Sequence, residues 1–227
     1  MKRLQFFLLV LVSMCFPLQG CVGLMFDAAM ESAGVSMGPR ISLAEPSLTE
    51  NSPLSSIQSL NICILKFKDE RNVSPENKVG SITTLGGFSS GSYRPIIANN
   101  VKDISSFVTQ TIADEFKRNN HTVVIDNNSC DFIINGKINK FWIDFSGTFK
   151  KKCNGIIEVS IEVQKKKDNK VLLLKTYSGS ISETAEGYPN VPNYLIERVL
   201  NETLFAMMKN FSQDPALLML FREYLKG

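Results

Sequence analysis

The chain has 227 residues, 44% of them hydrophobic and 21% charged, a composition that excludes a disordered or fibrous protein and fits a folded one. The 25 Lys and Arg oppose 22 Asp and Glu for a net charge of +3, and loss of Lys2 and Arg3 with a cleaved leader leaves 23 against 22. That excludes a strongly basic nucleic-acid binder. The single histidine, His121, excludes a multi-His metal site and leaves any Ser-His or Cys-His catalytic pair dependent on one residue.

Met1-Lys2-Arg3 precedes an apolar run from Leu4 to Phe16 and then Pro17-Leu18-Gln19-Gly20-Cys21. At ~1.5 Å per residue the run is too short for a ~30 Å hydrocarbon core, so it reads as a secretory leader over 1–20. Leu18-Gln19-Gly20-Cys21 resembles the bacterial lipobox, with an aliphatic residue three positions before the cysteine and a small one just before it. The resemblance implies a diacylglycerol on the Cys21 thiol, cleavage before it and acylation of the new amino group. Val22 rather than Asp at the next position implies, by resemblance to the enterobacterial sorting rule, the outer membrane.

Residues 21–59 are rich in Ser, Pro, Gly and Ala, with Pro39, Pro46 and Pro53 spaced through them, and predict a lipid-anchored tether. The folded domain is then expected over 60–227. Leu60 to Lys68 is nearly continuously apolar and predicts a strand buried on both faces. Asn72 to Asn99, with its glycines and prolines, reads as a long loop. Asn100 is the expected cap of a helix whose stripe includes Val101, Ile104, Val108, Ile112 and Phe116, ending at Asn119-Asn120. His121 to Asp126 predicts a strand, parallel to the first through a right-handed crossover if both share a sheet. A meander follows: Asp131 to Phe145 with a bulge near Asn139-Lys140, Gly155 to Lys166, and Val171 to Ser182 after a turn at Asp168-Asn169. Two helices close the chain, one over Asn193 to Phe211 and one capped by Asp214 with Pro215 at its first position. The fold class is therefore α/β: a mixed sheet of about five strands, β-α-β then an antiparallel three-strand meander, with helices on one face and two closing helices.

Asp69 and Arg71 after the first strand, Cys130-Asp131-Phe132-Ile133-Ile134-Asn135-Gly136-Lys137-Ile138, and Asn201 through Asp214-Pro215 resemble, in this order, the YajG-type bacterial lipoproteins. More distantly they resemble the auxiliary lipoproteins of ABC-type envelope transport systems. The resemblance covers roughly 60–220 and implies a small periplasmic α/β domain with no established enzyme activity.

Asp69 and Arg71 are a candidate charge-assisted pair, either fixing the loop that follows them or binding a ligand. Gly80 to Gly91 lacks the Lys-Ser/Thr ending of a phosphate loop and reads as a mobile loop that lies over the domain or meets a partner. Lys150-Lys151-Lys152 and Lys165-Lys166-Lys167 fall at opposite hairpin ends and read as solvated tips, one of which could meet anionic headgroups. His121 reads as a surface or packing residue. Cys130 and Cys153 lie at opposite ends of the expected hairpin, on the order of 50 Å apart at ~3.3 Å per residue, and so are not expected to be joined. Cys63 could pair with one of them if the first strand ends beside it, but its burial in that strand favours a free thiol. The reading is of a non-catalytic envelope lipoprotein, lipid-anchored at the outer membrane with its domain facing the periplasm. It expects no cofactor, no metal and no nucleic acid, and an envelope protein partner that the sequence does not name. The competing reading is a lipid- or hydrophobic-ligand-binding component of an envelope transport system.

Overall fold

The computed structural model describes residues 38–46, 52–84, 92–124, 129–147, 150–186 and 193–226. The chain divides into two units, Met1–Gly38 and Pro39–Gly227, and every element described belongs to the second. The leader, Cys21 and residues 21–37 of the expected tether lie outside the described residues.

The sheet is organised around one long strand, β7 (Phe132–Ser146). On one side it pairs along its whole length, antiparallel, with β8 (Lys150–Lys165), which pairs in turn with the edge strand β9 (Lys170–Glu186). The other side is shared. Its first half takes β2 (Asn61–Ile64) and β3 (Lys68–Asp69), and its second half takes β4 (Lys78–Thr84), all parallel. Beyond β4 lie β5 (Ser92–Ala98), antiparallel, and β1 (Arg40–Ile41), parallel to β5; beyond β2 lies β6 (Thr122–Val124), parallel.

The meander, the parallel β-α-β crossover and the bulge between Ile138 and Lys140 are as expected. Three expectations about the extent of the sheet and of the domain are corrected. The sheet has nine strands rather than about five. Part of the expected loop over 72–99 is the β4–β5 hairpin, whose tip at 85–91 lies outside the described residues. Pro95 in β5 pairs only towards β4, and an edge position of this kind tolerates the missing N–H. The first strand divides into β2 and β3, because the backbone leaves the β7 ladder at Phe67. There the Thr109 hydroxyl accepts from the Phe67 N–H at 2.9 Å and the Ser105 hydroxyl donates to the Phe67 carbonyl. Both hydroxyls come from the crossover helix, so the interruption leaves these buried backbone groups satisfied. The Phe67 ring fills the space over Gly136 of β7, where an added Cβ would stand 2.5 Å from it.

Helix α1 (Ile104–Arg118) is capped by Asp103, not Asn100, with the Ser106 N–H donating to Asp103 Oδ1 at 2.6 Å. Helices α2 (Asn193–Ser212) and α3 (Pro215–Tyr224) follow the expected bounds closely, with Asp214 as the α3 cap. The helices meet through Phe116, Phe211 and Phe221 over one face of the sheet, with Phe116 5.7 Å from Phe211 and 6.1 Å from Phe221. Helix α2 lies against Gly179 of β9, whose added Cβ would stand 2.1 Å from the Thr203 carbonyl, so only glycine permits this approach. Asp214 accepts from Lys175 and the Tyr177 hydroxyl, both at 2.7 Å, and fastens the corner between α2 and α3 to β9.

The third correction concerns the start of the domain. Residues 39–46 and 52–59 are not a tether. Ile41, Leu43, Leu54 and Ile57 are buried in the main core, and Pro53–Ser56 forms a short 3-10 helix. Asn100 is used here instead of as a cap: it accepts from the Leu43 N–H at 2.9 Å and donates to the Leu43 carbonyl at 2.8 Å, as a strand partner would. From α2, Glu197 accepts from the Ser42 N–H at 2.9 Å and Asn201 from the Ala44 N–H at 3.0 Å. The Pro and Ser content suggested a linker, but four large aliphatic side chains are enough to bury the segment. A chain starting at Leu60 removes them at ~1.5–3 kcal/mol each, a loss comparable to the whole stability of a domain. Such a chain should fail to unfold cooperatively in denaturant, whereas one starting at Pro39 should show a single sharp transition.

Candidate functional site

Arg71 occupies the fork in the sheet. Between Ile138, the last β7 residue paired to β3, and Ile143, the first paired to β4, the shared side of β7 has no strand beside it. The Arg71 side chain, 3% exposed, lies in this gap. Its Nε and one terminal nitrogen donate to the two Asp69 carboxylate oxygens at 2.8 and 2.6 Å. The remaining donors reach the carbonyls of Glu76 at 2.9 Å, Lys78 at 2.8 Å and Phe141 at 3.3 Å. A guanidinium has five N–H groups, and all five are spent on the chain itself. None is left for a ligand. The bonds to Glu76 and Lys78 tie down the intervening turn, in which Asn72 has φ 53° and the Ser74-Pro75 bond is cis.

Burial opposes ionisation of Asp69, but the hydrogen bonds and charge of Arg71 outweigh it and hold the carboxyl below its ordinary value of 3.8. Beside the pair is a polar cavity of about 270 Å³ whose walls include Lys66, Asp69, Asn72, Glu76 and Asp103. Its charges are largely engaged with one another: Lys66 lies 3.3 Å from Asp103, which also caps α1, and Asp69 holds Arg71.

The other candidates are dispersed. His121 is buried, accepts from the Leu60 N–H through Nδ1 at 3.3 Å and packs against the Phe116 ring. Burial lowers its pKa, so the ring is a neutral packing residue. Cys130 and Cys153 are not joined, as expected. Cys63, expected free, is instead bonded to Cys130, with Cα atoms 5.7 Å apart. The two sit with Ile133 and Val124 in a small cluster separate from the main core. The same continuous apolar pattern that marked the strand as buried on both faces could have shown that Cys63 points away from the helices. Cys153 is free and buried, and burial pushes its thiol up to about 12, which makes it unreactive. The two lysine triplets fall at opposite ends of β8: Lys150 and Lys152 are exposed with Lys151 buried between them, while Lys167 is exposed and Lys165 and Lys166 are half-buried. Among the described residues, no three His, Cys, Asp or Glu side chains come together to hold a metal ion, and no helix is long and apolar enough to cross a membrane.

A family model described as uncharacterized lipoprotein matches residues 56–221. The chain belongs to this family, whose members are lipoproteins of the YajG type. A search of curated proteins finds no match. Among solved structures, a protein from Xanthomonas campestris is similar at a TM-score of 0.52 and 10% identity, over 84% of this chain and 98% of that one, which agrees with the architecture described. A protein from Helicobacter pylori described as a neuraminyllactose-binding hemagglutinin homolog has a TM-score of 0.46 and 10% identity, over 82% of this chain and 100% of its own. A lipoprotein from Neisseria meningitidis has a TM-score of 0.27 and 12% identity, over 64% and 95%.

Lysine in place of Arg71 keeps the charge but cannot reach five acceptors in a plane. Arg71→Lys should therefore lower stability by about 3 kcal/mol in denaturant titrations, because carbonyls of β4 and β7 lose their donor in a buried gap. The Asp69 contribution is present above the unfolded carboxyl value and is lost as pH falls through the lower folded value. Asp69→Asn should thus reduce stability at pH 7 and flatten its decline below about pH 4.

Proposed function

We propose that the chain is a non-catalytic lipoprotein held by acyl chains on Cys21 at the outer membrane, with its domain in the periplasm acting as an accessory or interaction module. The observation that carries this reading is the Cys63–Cys130 disulfide. Disulfides persist in oxidising compartments and are rare in the bacterial cytosol, so the bond supports export, as the leader does. Membership in a lipoprotein family and the lipobox-like ending at Cys21 support the anchor, and two or three acyl chains hold far more firmly than one. The non-catalytic reading is supported by how completely the conspicuous polar groups are used within the fold: Arg71 has no free donor and Asp103 and Asp214 are caps.

Two measurements test it. Metabolic labelling with a fatty acid should mark the wild type and not Cys21→Ser; label persisting on the variant overturns the anchor. Alkylation of exported protein before reduction should recover a peptide linking Cys63 to Cys130 and none linking Cys130 to Cys153. The bond closes a segment with a sequence separation of 67. Replacing both cysteines by serine should accordingly cost on the order of 4 kcal/mol of stability.

A further inference from the structure

We infer that the corner formed by the β8–β9 turn and helix α3 is a second point of attachment to the membrane, a surface that seats on an anionic phospholipid bilayer. The inference rests on the proposed lipid anchor only in that the anchor brings a bilayer close.

Four of the eight exposed large apolar side chains among the described residues belong to this corner: Val171 at 48% exposure, Leu174 at 68%, Met219 at 58% and Leu225 at 38%. The β9 register sets them on both faces of the sheet at its edge: Val171 and Leu174 pair with Gln164 and Glu162 on the face away from the helices, and Met219 stands on the helix side. Gln164 faces Val171 and Val163 faces Leu173, so Leu172 is an extra residue. Leu172 and Leu173 both pack towards the core, where with Ala216, Met219, Leu220 and Tyr224 they wall a groove of about 510 Å³. Val171 and Leu174, on either side of the bulge, remain exposed. The turn itself carries Lys165, Lys166, Lys167 and Lys170 against one carboxylate, Asp168, whose Oδ1 is occupied by the Lys170 N–H at 3.1 Å. Three further carboxylates are near: Glu223 lies in the groove wall, Asp131 accepts from the Tyr224 hydroxyl at 3.3 Å, and Glu162 is paired with Leu174. Lys165 lies over the Tyr224 ring at 5.3 Å, which puts a cation on the rim of the apolar groove.

Exposed apolar side chains ringed by lysines and an amphipathic tyrosine are what an interface of acyl chains below phosphate headgroups demands. A water-facing hairpin tip needs the lysines but not the leucines. The 17 residues between Cys21 and Pro39 extend to at most ~60 Å, comparable with the ~55 Å length of β9, so an anchor at Cys21 allows this end of the sheet to meet the bilayer.

The test uses residues 21–227 carrying Cys21→Ser, so that no acyl chain contributes, and vesicles of phosphatidylglycerol or of phosphatidylcholine. The protein should sediment with phosphatidylglycerol vesicles, release as salt rises, and bind phosphatidylcholine at least tenfold less. Leu174→Asp with Met219→Asp, and separately Lys167→Gln with Lys170→Gln, should each weaken binding at least tenfold without shifting the thermal midpoint, since these side chains are exposed. Lys152→Gln, at the other end of β8, should leave binding unchanged. The inference is overturned by absence of binding to phosphatidylglycerol vesicles, by binding that survives both sets of substitutions, or by an equal loss in Lys152→Gln. Failure of the anchor reading would show independently, as missing fatty-acid label on wild-type Cys21.

Discussion

The fold depends on how one side of β7 is shared between strands from two different parts of the chain. No single strand accompanies β7 on that side, so a gap opens where β3 ends and β4 begins, and an open gap inside a sheet leaves polar backbone groups without partners. Arg71 fills it. The same guanidinium that binds Asp69 also holds the carbonyls of Glu76, Lys78 and Phe141, and so joins the end of β3, the turn after it, the start of β4 and the middle of β7. A neutral side chain could not offer five donors in one plane, and a lysine could not spread them. A second gap, at Phe67, is closed from above by the Ser105 and Thr109 hydroxyls of α1.

The residues that carry the family resemblance have mechanical duties in the described structure. Asp131 accepts from the Asn61 N–H at 2.9 Å and from the Tyr224 hydroxyl at 3.3 Å, linking β2, β7 and α3. Asn201 holds the segment after β1, and Asp214 both caps α3 and binds β9. Burial opposes its ionisation, yet the bonds from Lys175, Tyr177 and the Ala216 amide keep the Asp214 carboxyl below its ordinary range. Each of these side chains joins elements of the fold, over the stretch that the family model matches.

The two faces and two ends of the sheet have different characters. One face carries the helices and the main core. The disulfide lies apart from that core, in its own small cluster. Both ends of β8 carry exposed lysines, and the end at the β8–β9 turn combines them with exposed aliphatic side chains, an asymmetry that a uniformly solvated domain does not require.

Much of this was legible in the linear chain where the determining interactions are local. Strict alternation from Ile157 to Val163 places β8, the three- and four-residue spacing of apolar side chains places α1 and α2, and Asp214-Pro215 marks the start of α3 before any contact is known. The expected leader and lipobox-like ending at Cys21 are also short contiguous patterns, and they lie outside the described residues. What the sequence could not settle depends on partners far away along the chain. Asn100 looks like a cap because Asn caps helices, but its amide is taken by Leu43, 57 residues earlier. Residues 39–46 and 52–59 look like a linker because their apolar side chains are too sparse to show a period, and only the pairing of β1 with β5 and the bonds from α2 determine that Ile41 and Leu43 are buried. Cys63 looks like a core thiol until Cys130 arrives beside it from 67 residues away. Arg71 and Asp69 could be recognised as a pair from their spacing, but whether that pair binds a ligand or the chain itself depended on three carbonyls that only the folded sheet brings within 3.3 Å.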